Sequence, residues 1–332
     1  MSVPIQTSPG RAGSGPQLEL SYDSGSGNGP FGMGWSLSVP NITRKTDKGL
    51  PLYQDADESD VFILSGAEDL VPVLEDDGHR HRDTTSHAGY AVQRYRPRTE
   101  GLFARIERWT TLADGSTHWR SISKDNVTTW YGRSAESRVA NPTDPSQVFT
   151  WLACESRDTR GNATLYRYKA EDSVGVDPKQ VHERNRTEAS RAANRYLKRI
   201  LYGNQVSHLL APDLDTAQWH FEVVFDYGEH DRQAPSAQEG QSWACRADPF
   251  SSYRAGFEVR TYRLCQRVLM FHHFAAEAGV VSVSVHRVTF AFSFGTDDHF
   301  IVSPRPRCLG LYAAASSVSS SAGILKIPAE AA

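Results

Sequence analysis

The sequence predicts a mainly β fold built from antiparallel hairpins. Short runs of alternating apolar and polar residues recur along its 332 residues, and a side-chain period of two marks a strand with one covered face. Clusters of Gly, Pro, Asn, Asp and Ser separate those runs, as turns between strands require. The intervals are too short for the crossover helices that parallel pairing needs.

The elements follow in order. Residues 1–34 are dense in Gly, Ser and Pro and enclose one alternating run, Leu18 to Tyr22; such composition suits turns and no helix. Strands are then expected over residues 35–39, 61–64, 102–109, 116–122, 127–131, 148–153 and 164–168. The clearest strand is 219–227, where Trp219, Phe221, Val223, Phe225 and Tyr227 share a face opposite His220, Glu222, Val224 and Asp226. Residues 257–265 form another, and Val281, Val283 and Val285 alternate with Ser282, Ser284 and His286. Residues 177–194, polar and rich in Arg, Glu and Ala, read as a short surface helix or a long exposed loop. The alternation stops in the last forty residues, which read as a poorly ordered tail. The expected division is a β-rich module over 1–295 and a divergent tail over 296–332.

Composition narrows the function classes. With 36 Lys+Arg against 39 Asp+Glu the net charge is -3, which lacks the basic excess of a general nucleic-acid binder. Mean hydropathy is -0.50, and the most apolar stretch, 268–276, is broken by His272 and His273, so no membrane insertion by this chain is expected. No signal peptide is read in residues 1–30, which lack a basic start and an apolar core. Cys154, Cys245, Cys265 and Cys308 are widely spaced, as isolated buried thiols would be.

Candidate chemistry is sparse. Gly27-Asn28-Gly29-Pro30-Phe31-Gly32 matches the dinucleotide fingerprint letter by letter, but that use needs a following helix. Pro30 and the strand-like run from Trp35 argue for a glycine turn instead. Asp76, Asp77, His79, His81 and Asp83 form one cluster of potential ligands, and Asp55, Asp57, Glu58 and Asp60 another; between strands both read as solvated turns. His272 and His273 would point to opposite faces of a strand. Trp109, Trp119, Trp130 and Trp151 recur on successive runs, where packing in a β core is preferred over a row of sugar-stacking rings. No catalytic, cofactor-binding or metal-binding residue is assigned, and no cofactor is expected.

Longer blocks carry a resemblance. Ser2-Val3-Pro4-Ile5, Leu20-Ser21-Tyr22-Asp23-Ser24-Gly25, Gly32-Met33-Gly34-Trp35-Ser36-Leu37, residues 60–72, Asn194-Arg195-Tyr196-Leu197-Lys198-Arg199-Ile200 and residues 249–265 together resemble the SpvB-like module. That module opens the Salmonella virulence-plasmid B toxin and the B components of insecticidal toxin complexes. Asp158-Thr159-Arg160-Gly161-Asn162 with Tyr166 and Tyr168 is similar to one RHS/YD unit, with Gly161 at a hairpin turn.

The resemblance implies part of the wall of a hollow RHS-like shell that encloses and delivers a cytotoxic effector, without an active site of its own. It implies a C-type toxin component and an A-type translocation component as partners, and an extracellular location reached without a conventional signal, or a cytoplasmic one before release. Compared with the family, the sequence is expected to lack the short stretch that usually precedes Ser2 and, after about residue 294, the propeller and RHS array. Rival readings are a carbohydrate-binding β module and a fragment of an ADP-ribosylating toxin without its catalytic domain. The transferase chemistry needs a Glu-x-Glu pair, which is absent here, so no enzyme is expected. Self-association through unpaired strands, 219–227 and 257–265 above all, is also expected.

Overall fold

The computed structural model describes residues 1–65, 69–74, 82–83, 87–273, 283–293 and 303–307, with backbone alone for 82–83, 283–293 and 303–307. Strands β1 (Ser2–Ile5), β2 (Leu18–Tyr22) and β3 (Trp35–Leu37) form a small antiparallel sheet. Leu20 stands opposite both Val3 and Leu37. That register turns Ile5, Leu18, Leu20 and Trp35 into a core they share with the main sheet.

The next strands are β4 (Asn41–Arg44), β5 (Phe62–Leu64), β6 (Asp69–Pro72), β7 (Arg82–Asp83), β8 (Tyr90–Pro97), β9 (Arg105–Thr111), β10 (Thr117–Ile122), β11 (Thr128–Tyr131), β12 (Arg138–Asn141) and β13 (Asp144–Arg157). Pairing runs β4-β5-β6-β8-β9-β10-β11, and β11 and β4 both pair with β13, so the ring closes into an antiparallel barrel. Closure removes the free edges that an open sheet would expose. Alternation puts Thr117, Trp119 and Ser121 of β10 inside. The lumen is filled by Ile42, Phe62, Tyr95, Ile106, Trp119, Tyr131 and Trp151, among others. The Phe62 ring stands edge-on to Trp119 at 4.9 Å and to Trp151 at 5.7 Å, a favourable arrangement of aromatic quadrupoles. Gly132 lets Trp151 sit there: at φ 66° a Cβ would approach Trp151 Cδ1 to 2.3 Å.

β13 joins two units. Its first part pairs with β12 and β4, and its last residues pair with β11 and β14 (Ala163–Ala170). The sheet continues through β15 (Arg195–Asn204) and β16 (Trp219–Asp226); after the short hairpin of β17 (Phe250–Ser252) and β18 (Val259–Thr261) come β19 (Arg267–His272), β20 (Val283–Ser293) and β21 (Ser303–Arg307). The small β1-β3 sheet covers one face, burying Ile200, Tyr202, Val223, Phe225, Val268 and Met270. On the other face Val224, Leu269 and Phe271 pack beneath Ala237.

Four expectations change. The 219–227 run is expected to be half-buried, yet Val224 and Phe225 are both fully buried, because a loop covers the second face. Nor is it an edge: β16 pairs with β15 and β19, so the edge argument for self-association falls away there. Of residues 257–265 only Val259–Thr261 is strand, since Tyr262 and Arg263 are committed to side-chain contacts inside the protein. Residues 177–194 hold a 3-10 turn, Val181–Glu183, and a four-residue helix, Glu188–Arg191, capped by Thr187; Glu183 and Arg191 are buried as an ion pair, which is not an exposed loop. β21 lies within the expected tail, with its Ser303 opposite Ser293. Asp76, Asp77, His79, His81, Val281, Cys308 and the rest of the tail lie outside the described residues, as do the side chains of Asp83, Val283 and Val285.

Candidate functional site

Two charged centres and a plugged barrel end concentrate the ionisable side chains. The first forms at the turn after β16, where Gly228, at φ 110°, reverses the chain. Asp226, Glu229 and His230 place ligand-type atoms within 4.8 Å of one another, all buried. Lys198, from β15, occupies the middle of that group: its Nζ lies 3.1 Å from Glu229 Oε2 and 3.0 Å from His230 Nε2, and donates to the Phe225 carbonyl at 3.1 Å. His230 Nδ1 is 2.8 Å from the Ser236 carbonyl, so it carries the proton and Nε2 accepts from the ammonium. Burial and the Lys198 charge hold His230 below its ordinary range. Burial also pulls Lys198 down, with Glu229 opposing. Arg267 donates from Nε to Asp226 Oδ2 at 2.6 Å and from Nη2 to the His230 carbonyl at 2.8 Å. Lys198 and Arg267 therefore supply the positive charge that a metal would otherwise bring, and the group works as an ionic clamp across β15, β16 and β19.

The sequence reading missed this cluster, although Asp226-Tyr227-Gly228-Glu229-His230 crowds three ionisable residues around one glycine. A strand-period argument assigns Asp226 to a polar face, and only the covering loop shows that face to be buried. A second centre ties residues 171–191 to the body. Glu183 meets Arg260 at 2.7 Å and Arg191 at 3.2 Å, and accepts from the Tyr262 hydroxyl at 2.6 Å. Nearby, Arg263 Nε donates to Glu171 Oε2 at 3.0 Å, and its guanidinium covers the Trp243 ring at 4.2 Å.

One end of the barrel is closed by the loop after β4, and here the expectation of solvated turn residues is corrected for two of its four members. Arg44 side chain is 1% exposed; its Nη1 lies 2.6 Å from Asp55 Oδ1 and 2.7 Å from Asp60 Oδ2, and its Nη2 donates to Asp55 Oδ2 at 2.9 Å. Asp60 also accepts the backbone N–H groups of Leu52 and Tyr53 at 2.9 and 3.0 Å. A buried guanidinium inside the lumen demands counter-charges, so it draws two of the acidic loop residues inward. Asp57 remains exposed, and Glu58 accepts from Gln93 Nε2 at 2.6 Å.

The remaining candidates resolve simply. Gly27 to Gly32 leads into β3 and not into a helix; the loop borders a cavity of about 290 Å³ lined by Trp35, Tyr168, Tyr196 and Tyr227. The tryptophans divide: Trp119 and Trp151 fill the lumen, whereas Trp109 and Trp130 are half-buried outside it, under Arg120 and between Arg133 and Arg157. They form no single stacking row. His272 Nε2 meets Ser8 Oγ at 2.7 Å and His273 Nε2 meets Glu222 Oε2 at 2.9 Å, on opposite faces. Burial raises the thiols of Cys154, Cys245 and Cys265, which keeps them protonated and poorly nucleophilic. At the β13–β14 hairpin, Asp158 Oδ1 accepts from the Arg160 and Asn162 amides at 2.9 and 2.8 Å, and Gly161 has φ 86°.

A barrel fused through one long strand to a two-layer sheet, fastened by buried ion pairs, is a rigid framework. The family model described as Salmonella virulence plasmid 65kDa B protein, SpvB, matches residues 1–274. The chain belongs to the SpvB family. It is 37% identical over 306 residues to the mono(ADP-ribosyl)transferase SpvB of Salmonella typhimurium strain 14028s and, equally, to that of Salmonella dublin; each match covers 88% of this chain and 50% of the relative. The chain thus spans about half the length of those relatives. The solved N-terminal domain of effector protein SpvB from Salmonella typhimurium strain LT2 superposes with a TM-score of 0.78 at 34% identity, over 93% of this chain and 100% of that one. The TcdB2-TccC3 crystal structure matches with a TM-score of 0.77 at 34% identity, over 88% of this chain and 14% of that one. The mainly β architecture is that of the SpvB N-terminal domain. The transferase name belongs to the full-length relative, and this chain matches the non-catalytic part.

Proposed function

We propose that this chain is a non-catalytic structural component of a toxin-complex B-type protein, forming part of a shell that encloses and delivers a cytotoxic effector. The observation that carries this reading is the superposition of 88% of the chain on a segment of TcdB2-TccC3. The buried ionic clamps and the closed barrel support it, because a wall must hold its shape without a bound substrate. In this reading residues 1–295 act as one β-rich module and 296–332 as a divergent tail. The Asp158 to Tyr168 hairpin is a single RHS/YD-type rung, the partners are a C-type toxin component and an A-type translocation component, and the assembly acts outside the producing cell. No catalytic, cofactor or metal residue is assigned.

The test is co-expression with an RHS-bearing C-type component, followed by size-exclusion chromatography and electron microscopy. Co-elution, with density for the barrel and sheet in a shell wall, is the expected result. Separate elution, or NAD hydrolysis by this chain above a heat-treated blank, would overturn the reading.

A further inference from the structure

We propose that the plugged end of the barrel holds a carboxylate-binding pocket centred on Arg108, independent of the shell reading. A cavity of about 270 Å³ is lined there by Ala91, Gln93, Arg108, Thr110 and Thr117, with Asp55 at its rim. The first five occupy the inward-facing positions of β8, β9 and β10, in phase with Tyr95, Ile106 and Trp119 of the lumen. The cavity is therefore the continuation of the lumen beyond its aromatic filling.

Arg108 is the unusual member. Its side chain is 6% exposed, and Nε and Nη1 are buried without a hydrogen-bond partner. The approach of Nη2 to Asp55 Oδ2 is 3.9 Å, too long for a hydrogen bond, and both Asp55 oxygens are already held by Arg44 at 2.6 and 2.9 Å. Among the described residues the guanidinium also faces the Phe62 ring, 5.7 Å from its centroid. Three N–H donors, one on Nε and two on Nη1, held out of water with no acceptor are costly, and a planar guanidinium is best satisfied by a carboxylate. Thr110 and Thr117 line the same wall, and a threonine hydroxyl can donate to a carboxylate. Arg44, Arg108, Asp55 and Asp60 together carry no net charge, so a carboxylate is held by the open N–H donors of Arg108 and not by an excess of positive charge. The carboxylate comes either from a small free acid or from the side chain or terminus of a polypeptide.

The experiment is NMR of the whole chain at constant ionic strength, following the Arg108 Nε–H resonance assigned by through-bond correlation. Sodium acetate, a short peptide with a free C-terminus and its amidated form are titrated separately, with sodium chloride as control. Saturable shifts with acetate identify a small-acid site, and shifts with the free-ended peptide alone identify a polypeptide site; either supports the pocket. R108K keeps the charge without the planar fork and, followed through the backbone amides of Thr110 and Thr117 in the same wall, is expected to weaken binding about tenfold. T117V, nearly isosteric, should weaken it several-fold while leaving the fold intact, and serves if R108K does not fold. No saturable shift, the same shift with chloride, or unchanged binding in T117V and R108K would overturn the proposal.

Discussion

Replacing Arg44 with Met would test whether the acidic loop is a structural plug. Methionine fills much of the same volume, so the loss is chiefly one of charge and hydrogen bonds. The substitution strands two carboxylates: Asp60, whose side chain is 6% exposed, and Asp55, at 26%. Removing one partner of a buried pair costs about 3–5 kcal/mol. Asp55 can partly rehydrate and Asp60 keeps two backbone N–H donors, so the lower end, about 3 kcal/mol, is expected. Urea unfolding at pH 7 measures it. The companion variant R44M/D55N/D60N removes the counter-charges as well and should recover more than half of the loss, because neutral amides need no partner ion.

The pH dependence supplies a second reading of the same contact. Burial pushes the Asp55 carboxyl up, but the Arg44 hydrogen bonds and charge, with Arg108 behind them, reverse this and leave it lowered. A lowered carboxyl contributes stability that is present above the unfolded value of about 3.9 and is lost as pH falls through its folded value. Without Arg44 only the Arg108 charge still opposes the burial effect, so R44M is penalised most at neutral pH and converges on the wild type in acid. A loss below about 1 kcal/mol, or no recovery in the triple variant, would show that the loop is solvated after all.

Other substitutions probe the core and its titration. Phe225→Ala, at a fully buried ring, should destabilise by about 3–5 kcal/mol in chemical denaturation; Phe221→Ala, at a half-buried ring stacked on Tyr202, should cost less, and the reverse order would mean the face is misassigned. Gly132→Ala should cost about 2–4 kcal/mol, since it combines a left-handed backbone with a Cβ driven into Trp151, and a neutral melting temperature would contradict that geometry. His118 is pushed down to about 4 by burial, with Arg133, Arg138 and Arg120 adding to it. Between pH 6.5 and about 4 the unfolded chain binds a proton that the folded one does not. Stability is therefore full above pH 6.5 and falls through that window, and His118→Gln should flatten the slope.

Periodicity in the sequence was enough to determine a mainly β chain, the strand Leu18–Tyr22, and the approximate place of β10, β11, β14 and β16. It also marked Gly27 to Gly32 as a turn and Gly161 as the corner of a hairpin, because glycine at a positive φ is a local requirement that needs no tertiary partner. Residues 1–274 carried the family likewise. What only the tertiary structure decided was where charge goes. β15 contains Arg195, Lys198 and Arg199 and breaks the apolar alternation, so it escaped the strand reading; it becomes a central strand because Glu222 on β16 and Glu229 in the turn after it stand ready. Asp55 and Asp60 read as solvent-facing until barrel closure placed Arg44 inside. Ring closure through β13 joins Thr43 to Thr150 and Trp130 to Glu155, pairings far apart in the chain. Local periodicity holds no information about such partners, and the burial of a charge depends on them.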